Sequence, residues 1–261
     1  MRPAARPALL VLLLLAAPGA APAAGDWRIG PEIWRATETL DAKTPGASYS
    51  PWRESGFAAH ARHTDTRLYS LRGRETERFA LTDREWGFAL HQPLGSGWAA
   101  DVDAAVSDTH RVLARHVFSA LIEKRLAEGW GVQGGWRRSQ YAAGYSDLRQ
   151  VTVDRYFGVQ RLAYTLYSGH PEGGAGSVPG HRVQWSYFLA EHSSFGVSAA
   201  AGRETDIAAP GVLATSDIRD YALTVRHGFA AGWTLSADAV THEQGNLYRR
   251  HGFRFGLQLR F

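Results

Sequence analysis

The grouping nearest to a hydrolytic site in this 261-residue sequence is His242 beside Glu243, with Ser236 and Asp238 at alternate positions upstream. A Ser/His or Asp/His set needs hydrogen-bond reach between its members, yet Ser236 and His242 stand roughly 20 Å apart on an extended segment. A partner from another segment would have to complete it. His60 and His63 are three apart, which on a strand puts them on opposite faces and separates them as metal ligands unless a turn brings them back. The absence of cysteine excludes thiolate nucleophiles, thiolate zinc or iron–sulfur sites and the lipidated cysteine of a lipoprotein. The glycine-rich run from Gly169 to Gly180 lacks the Lys-Ser/Thr and the following helix of a phosphate loop, and reads as an external loop. No catalytic, cofactor or metal set emerges, and a non-enzyme is expected.

The remaining chemistry belongs to charged side chains held across from one another. Asp101, Asp103, Arg137, Glu204, Arg226, Asp238, Arg250 and Arg254 recur opposite apolar positions in alternating segments, together with His91, Glu123, Arg161, Asp220, His242 and Arg260. Such groups either line a water-filled conduit and set its selectivity or pair with one another and fill it. Small residues on the same predicted face, including Gly87, Ala89, Gly196, Ser198, Ala200 and Gly202, leave space beside them. Tyr145, Tyr167 and Tyr248 at predicted outer strand ends suit either sugar stacking or a membrane interface.

The elements that must carry these residues have period two. In Trp98-Ala-Ala-Asp-Val-Asp-Ala-Ala-Val-Ser107, one face takes Trp98, Ala100, Val102, Ala104 and Val106, and the other takes Asp101, Asp103 and Ser107. The last segment sets Phe253, Phe255, Leu257, Leu259 and Phe261 against Arg250, Arg254, Gln258 and Arg260. Repeating this reading along the chain gives about fourteen strands, with twelve as the alternative. Strands of roughly ten residues, aromatics at strand ends such as Trp130, Phe195 and Trp233, and one polar face each favour a membrane barrel over a soluble sandwich. In hydrocarbon every backbone polar group must be paired, so a sheet spans only if it closes. Short connections (residues 63–66, 92–97, 127–129 and 228–232) are expected to alternate with longer ones (41–50, 169–180 and 205–214).

Arg2 and Arg6 precede an apolar run from Ala8 to Ala17, then Pro18, Gly19 and small residues through Ala24, which is the order of a secretory signal peptide. The run is about half the ~20 residues of a membrane helix. Residues 1–23 are assigned to the signal and residues 24–261 to one barrel domain. Losing the signal removes Arg2 and Arg6 and no acid, so the formal charge falls from +4 to +2. With Lys and Arg matched by Asp and Glu along the chain, nucleic acid is not an expected partner.

The stretch Gly196-Val-Ser-Ala-Ala-Ala-Gly-Arg-Glu204, then Arg219 to His227, then Glu243-Gln-Gly-Asn-Leu-Tyr-Arg-Arg250 running into Gly256 to Phe261, resembles the YaiO family of bacterial outer-membrane β-barrels. Glu75-Thr-Glu-Arg-Phe79 with Asp83, and Gly134 to Tyr141, are similar to earlier strands of that family. The likeness runs from about Trp52 onward and is strongest in the last third. It implies an integral outer-membrane protein of Gram-negative bacteria, in contact with outer-membrane lipid and without a cofactor. Association of some relatives with cell-surface or exopolysaccharide assembly implies saccharide or surface-polymer machinery as a partner. The expectation is therefore an all-β, transmembrane, antiparallel up-and-down barrel. Its reading is a channel for small polar solutes or saccharides, with a scaffold barrel as the alternative and an outer-membrane hydrolase third.

Overall fold

A computed structural model of the chain describes residues 27–43, 45, 48–63, 67–172, 177–209 and 212–259. The expected signal segment, Arg260 and Phe261 lie outside them. Fourteen strands follow one another: β1 (Trp27–Ala42), β2 (Trp52–His63), β3 (Arg67–Arg78), β4 (Leu81–Gly95), β5 (Trp98–Ser107), β6 (His116–Arg125) and β7 (Trp130–Tyr141). They continue as β8 (Gly144–Phe157), β9 (Gln160–Pro171), β10 (Val178–Ala190), β11 (Ser193–Ala209), β12 (Val212–Ala230), β13 (Trp233–Gln244) and β14 (Tyr248–Leu259). Each pairs antiparallel with its neighbours in sequence, and β1 pairs with β14 to close the barrel. The fold is the fourteen-stranded member of the two counts the sequence allows.

Closure fixes the shape. The pairing ladder that leaves β1 at Arg28 passes Arg62, Leu68, His91 and Asp101, goes on around the wall, and returns to β1 at Ala42 by way of Gln244 and Tyr248. The return is displaced by 14 residues, equal to the 14 strands. With standard strand spacings this gives a tilt of about 35° and a backbone radius of about 13 Å. It also means that one step along a ladder raises the chain by the same ~2.7 Å as one residue along a strand, so any position can be assigned a level along the axis.

Those levels order the outer face. Trp27, Trp98, Trp130, Phe157, Phe229 and Trp233 point outward in a band about two residues deep at the end that carries Trp27 and Leu259. Trp86, Phe118, Trp136, Tyr221 and Phe253 form a second band roughly 20 Å above it, with Val102, Val132, Val151, Leu162 and Val197 exposed between. These are the two aromatic girdles and apolar belt of a membrane barrel. Among the described residues the outward charges sit at or beyond the girdles. Lys124 and Arg155 lie over Trp98 and Trp130 at 5.0 and 5.1 Å, and Glu75–Arg84 and Arg138–Asp147 pair at the upper end.

The connections depart from the expected alternation. At the upper end, residues 79–80 and 142–143 are two-residue turns and two residues separate β11 from β12, while the connections 43–51, 108–115 and 172–177 are longer. The 205–214 stretch expected as a long loop instead continues as a hairpin, with Thr205 paired to Thr215 and Ala209 to Val212. Its Thr205 and Thr215 hydroxyls bond at 2.7 Å, a cross-strand pair that keeps the ladder going beyond the level where its neighbours turn. Residues 108–115, not marked in the sequence as a long connection, fold inward.

Candidate functional site in the lumen

Strand alternation places all eight lumen candidates, Asp101, Asp103, Arg137, Glu204, Arg226, Asp238, Arg250 and Arg254, on the inward face, the face that also holds the buried Asp83, Glu85, Asp154 and His242. The structure divides them. Asp103 is bound bidentately by Arg72, Asp101 meets His91 at 2.8 Å, and Arg250 donates to Glu38 at 3.0 Å. Arg254 lies over Trp34 at 4.9 Å and 3.9 Å from Glu32. Glu204 sits near the upper rim. Arg137, Arg226 and Asp238 make no ion pair among the described residues.

One half of the wall is dense with pairs. Arg74 bridges Glu54 at 3.0 Å and Glu85 at 2.9 Å, and the Trp34 indole donates to Glu54 at 2.9 Å. That indole lies flat over Gly56, where a Cβ would stand only 2.2 Å from the ring. His60 bonds Ser70 at 2.8 Å and Glu32 at 3.0 Å, while His63 faces outward against Trp27, so the two histidines are separated as their spacing requires. Asp154 accepts from Arg125 at 2.9 Å and Arg161 at 3.1 Å. The buried carboxylates among them, Glu85 and Asp154, persist because each has a partner of opposite sign in hydrogen-bonding geometry.

Two features narrow the upper mouth on this side. Trp52, Phe79, Tyr49 and Tyr248 pack edge to face at 5.3 to 6.2 Å, with Arg78 and Arg250 over the Trp52 ring. Tyr248, expected at an outer strand end for sugar stacking or a membrane interface, is instead buried in this cluster. Beside it, residues 108–115 turn into the barrel. Val112 and Leu113 donate their backbone N–H groups to the fully buried Asp83 carboxylate at 2.6 and 2.9 Å, and Arg111 reaches the other oxygen at 3.5 Å. Ala114 packs on Ala105, Val117 and Tyr141. The signal was present in the sequence as three apolar residues, Val112-Leu-Ala114, in a stretch too short and irregular for a strand.

The opposite wall is bare by comparison. From β7 to β12 the inward positions run mainly through Gly135, Ser139, Thr152, Ala163, Thr165, Gly180, Ser198, Ala200, Gly202 and Ala222. At Gly202 (φ +152°) a Cβ would lie 2.3 Å from the Gly180 Cα, so the β10–β11 contact admits no side chain there. Into this space project Arg137, Arg182 and Arg226, all exposed. By level, Arg137 and Arg182 stand with Arg72, Asp103, Asp238 and Arg254 in a girdle about two residues deep at mid-height. Sequence reading had missed Arg72, Arg74, Asp83, Glu54 and Arg182. Alternation through Leu71-Arg72-Gly73-Arg74 and Arg182-Val183-Gln184 was the available sign.

His242 finds its cross-strand partner in Asp220, and its other ring nitrogen is 2.6 Å from Gln244, which in turn bonds Ser216 at 2.5 Å. Ser236 is not part of this chain of contacts. Among the described residues no group of three or more His, Asp or Glu side chains is arranged to hold a metal ion.

A closed barrel with an apolar girdled exterior and a polar, charged interior defines an outer-membrane β-barrel protein. The chain belongs to the family described as the YaiO membrane beta barrel domain, whose model matches residues 40–207. That match ends before most of the last-third stretches in which the sequence resemblance is strongest. No curated protein matches the chain. Among solved structures, a bacterial polysaccharide outer membrane secretin superposes with a TM-score of 0.54 at 11% identity, covering 88% of this chain and 98% of that one. An anion-selective porin from Comamonas acidovorans gives 0.45 at 9% identity, covering 91% and 100%. A KdgM porin gives 0.45 at 8%, covering 88% and 99%. At these identities the likeness is one of fold.

Proposed function

We propose that the barrel is a conduit for small polar solutes or saccharides across the outer membrane. The observation that carries this reading is the openness of the interior at mid-height. The side chains of Asp101 and Arg254 keep 43% and 40% of their surface exposed although both point into the barrel, and the wall opposite them is built from small residues. A lumen filled by its own side chains would bury such groups. Export by residues 1–23 and absence of hydrolytic chemistry belong to the same reading, the latter supported by Gln244 occupying the His242 ring nitrogen that a nucleophile would need.

Planar-bilayer conductance of the refolded mature protein tests it, on preparations that first show the heat-dependent gel shift of a closed barrel. Reproducible step currents are expected, and Arg254→Glu should change their ion selectivity. Silence across the voltage range from folded protein would reject the conduit. The second reading, a scaffold assisting surface-polymer assembly, is favoured by the paired half-wall and the inward 108–115 segment, which together narrow the bore. Under it, deletion of the protein lowers surface polymer while solute uptake stays normal.

A further inference from the structure

Resting on the conduit reading, we propose that the β7–β12 wall selects sugar acids, binding their carboxylate at Arg137 and Arg182 as they pass. Three kinds of side chain line this wall near mid-height, with Arg137 on β7 three strands from Arg182 on β10. Arg182 and Arg137 are exposed, face inward and lack an ion-pair partner among the described residues, so their guanidinium forks are free to take a carboxylate bidentately. The Arg182 guanidinium lies over the Tyr167 ring at 5.5 Å, a cation–π contact that steadies the guanidinium and leaves its N–H donors for a carboxylate. Gln150 pairs in register with Tyr167, and Gln184 lies two residues along β10 from Arg182, which puts two amides on the same face for sugar hydroxyls.

Charge placement reinforces the assignment. Of the inward acids near this wall, Asp154 is engaged by Arg125 and Arg161 and Asp220 by His242, while Asp238 on the adjoining β13 makes no ion pair among the described residues. Glu204 stands higher, near the rim. Lower on the same wall, Arg226 is exposed and forms no ion pair among the described residues, which extends the positive track toward the lower end. An anion entering the bare sector therefore meets three unpaired arginines, Arg137, Arg182 and Arg226, against the single unpaired acid Asp238, with low-dielectric walls to focus the field.

Liposome swelling with glucose and with sodium glucuronate separates the possibilities, because the two differ by one carboxylate on the same ring. Glucuronate should enter faster than glucose. The double variant Arg137→Gln/Arg182→Gln should lower the glucuronate-to-glucose ratio by roughly fivefold or more, whereas Arg138→Gln, on the outward face, should leave it in place. Glucose entry without a glucuronate preference, or a ratio that the double variant does not move, overturns the selectivity while leaving the conduit standing. Entry of neither sugar through gel-shift-competent barrels overturns both.

Discussion

Asp83 is fully buried and accepts from two backbone N–H groups of the inward segment, so its carboxylate is the anchor of residues 108–115. Asp83→Asn removes the charge and one acceptor oxygen, and should weaken the anchorage by about 1–3 kcal/mol. Tryptic cleavage at Arg111 in the folded barrel should then accelerate, and single-channel conductance should rise as the segment leaves the lumen. Arg74 holds two acids at once, so Arg74→Met leaves Glu54 and Glu85 facing each other inside the wall. A loss of about 3 kcal/mol is expected from urea unfolding, shrinking as acid protonates the stranded carboxylates. Which inward charges pair was not legible beforehand. Pairing runs across strands, as Arg72 to Asp103 and His242 to Asp220, and depends on register that a single chain does not display.

Strands were far more readable than their partners. The stretches Trp98–Ser107 and His116–Arg125 begin and end where alternation put them, because a lipid face and a water face admit no slip of one residue. Where the constraint relaxes above the membrane, the reading failed: β11 and β12 run on through a stretch whose Asp, Pro and Gly look like a loop. The two-faced character gives a direct test. Val102→Arg, outward in the apolar belt, should destabilise by about 2–4 kcal/mol, whereas Gln150→Arg, inward at similar depth, should cost close to nothing. Urea-induced release from phospholipid vesicles compares the two.

As a whole, the molecule is stable in hydrocarbon because its first and last strands join. The β1–β14 ladder runs from Glu32–Gln258 to Ala42–Tyr248, and without it two edges would expose unpaired backbone groups to lipid. Deletion of residues 248–259 should therefore abolish the gel-shift form altogether rather than loosen it, a result that unheated electrophoresis after refolding reports directly. Strand number was legible from the sequence, but the 14-residue displacement on closing was not, since it is a sum of every register around the wall. That displacement sets the tilt, the radius and the common level at which Arg137 and Arg182 stand on their separate strands.

The β11–β12 hairpin carries a further consequence. Paired backbone continues to Ala209 and Val212, about 10 Å beyond the level at which the flanking strands turn. We propose that the upper end faces the outside of the cell, which would put this hairpin within reach of an antibody or a phage. A peptide tag inserted between Ala209 and Val212 should be stained on unpermeabilised cells, making the hairpin a handle for counting the protein in its native envelope and a natural target for immune recognition.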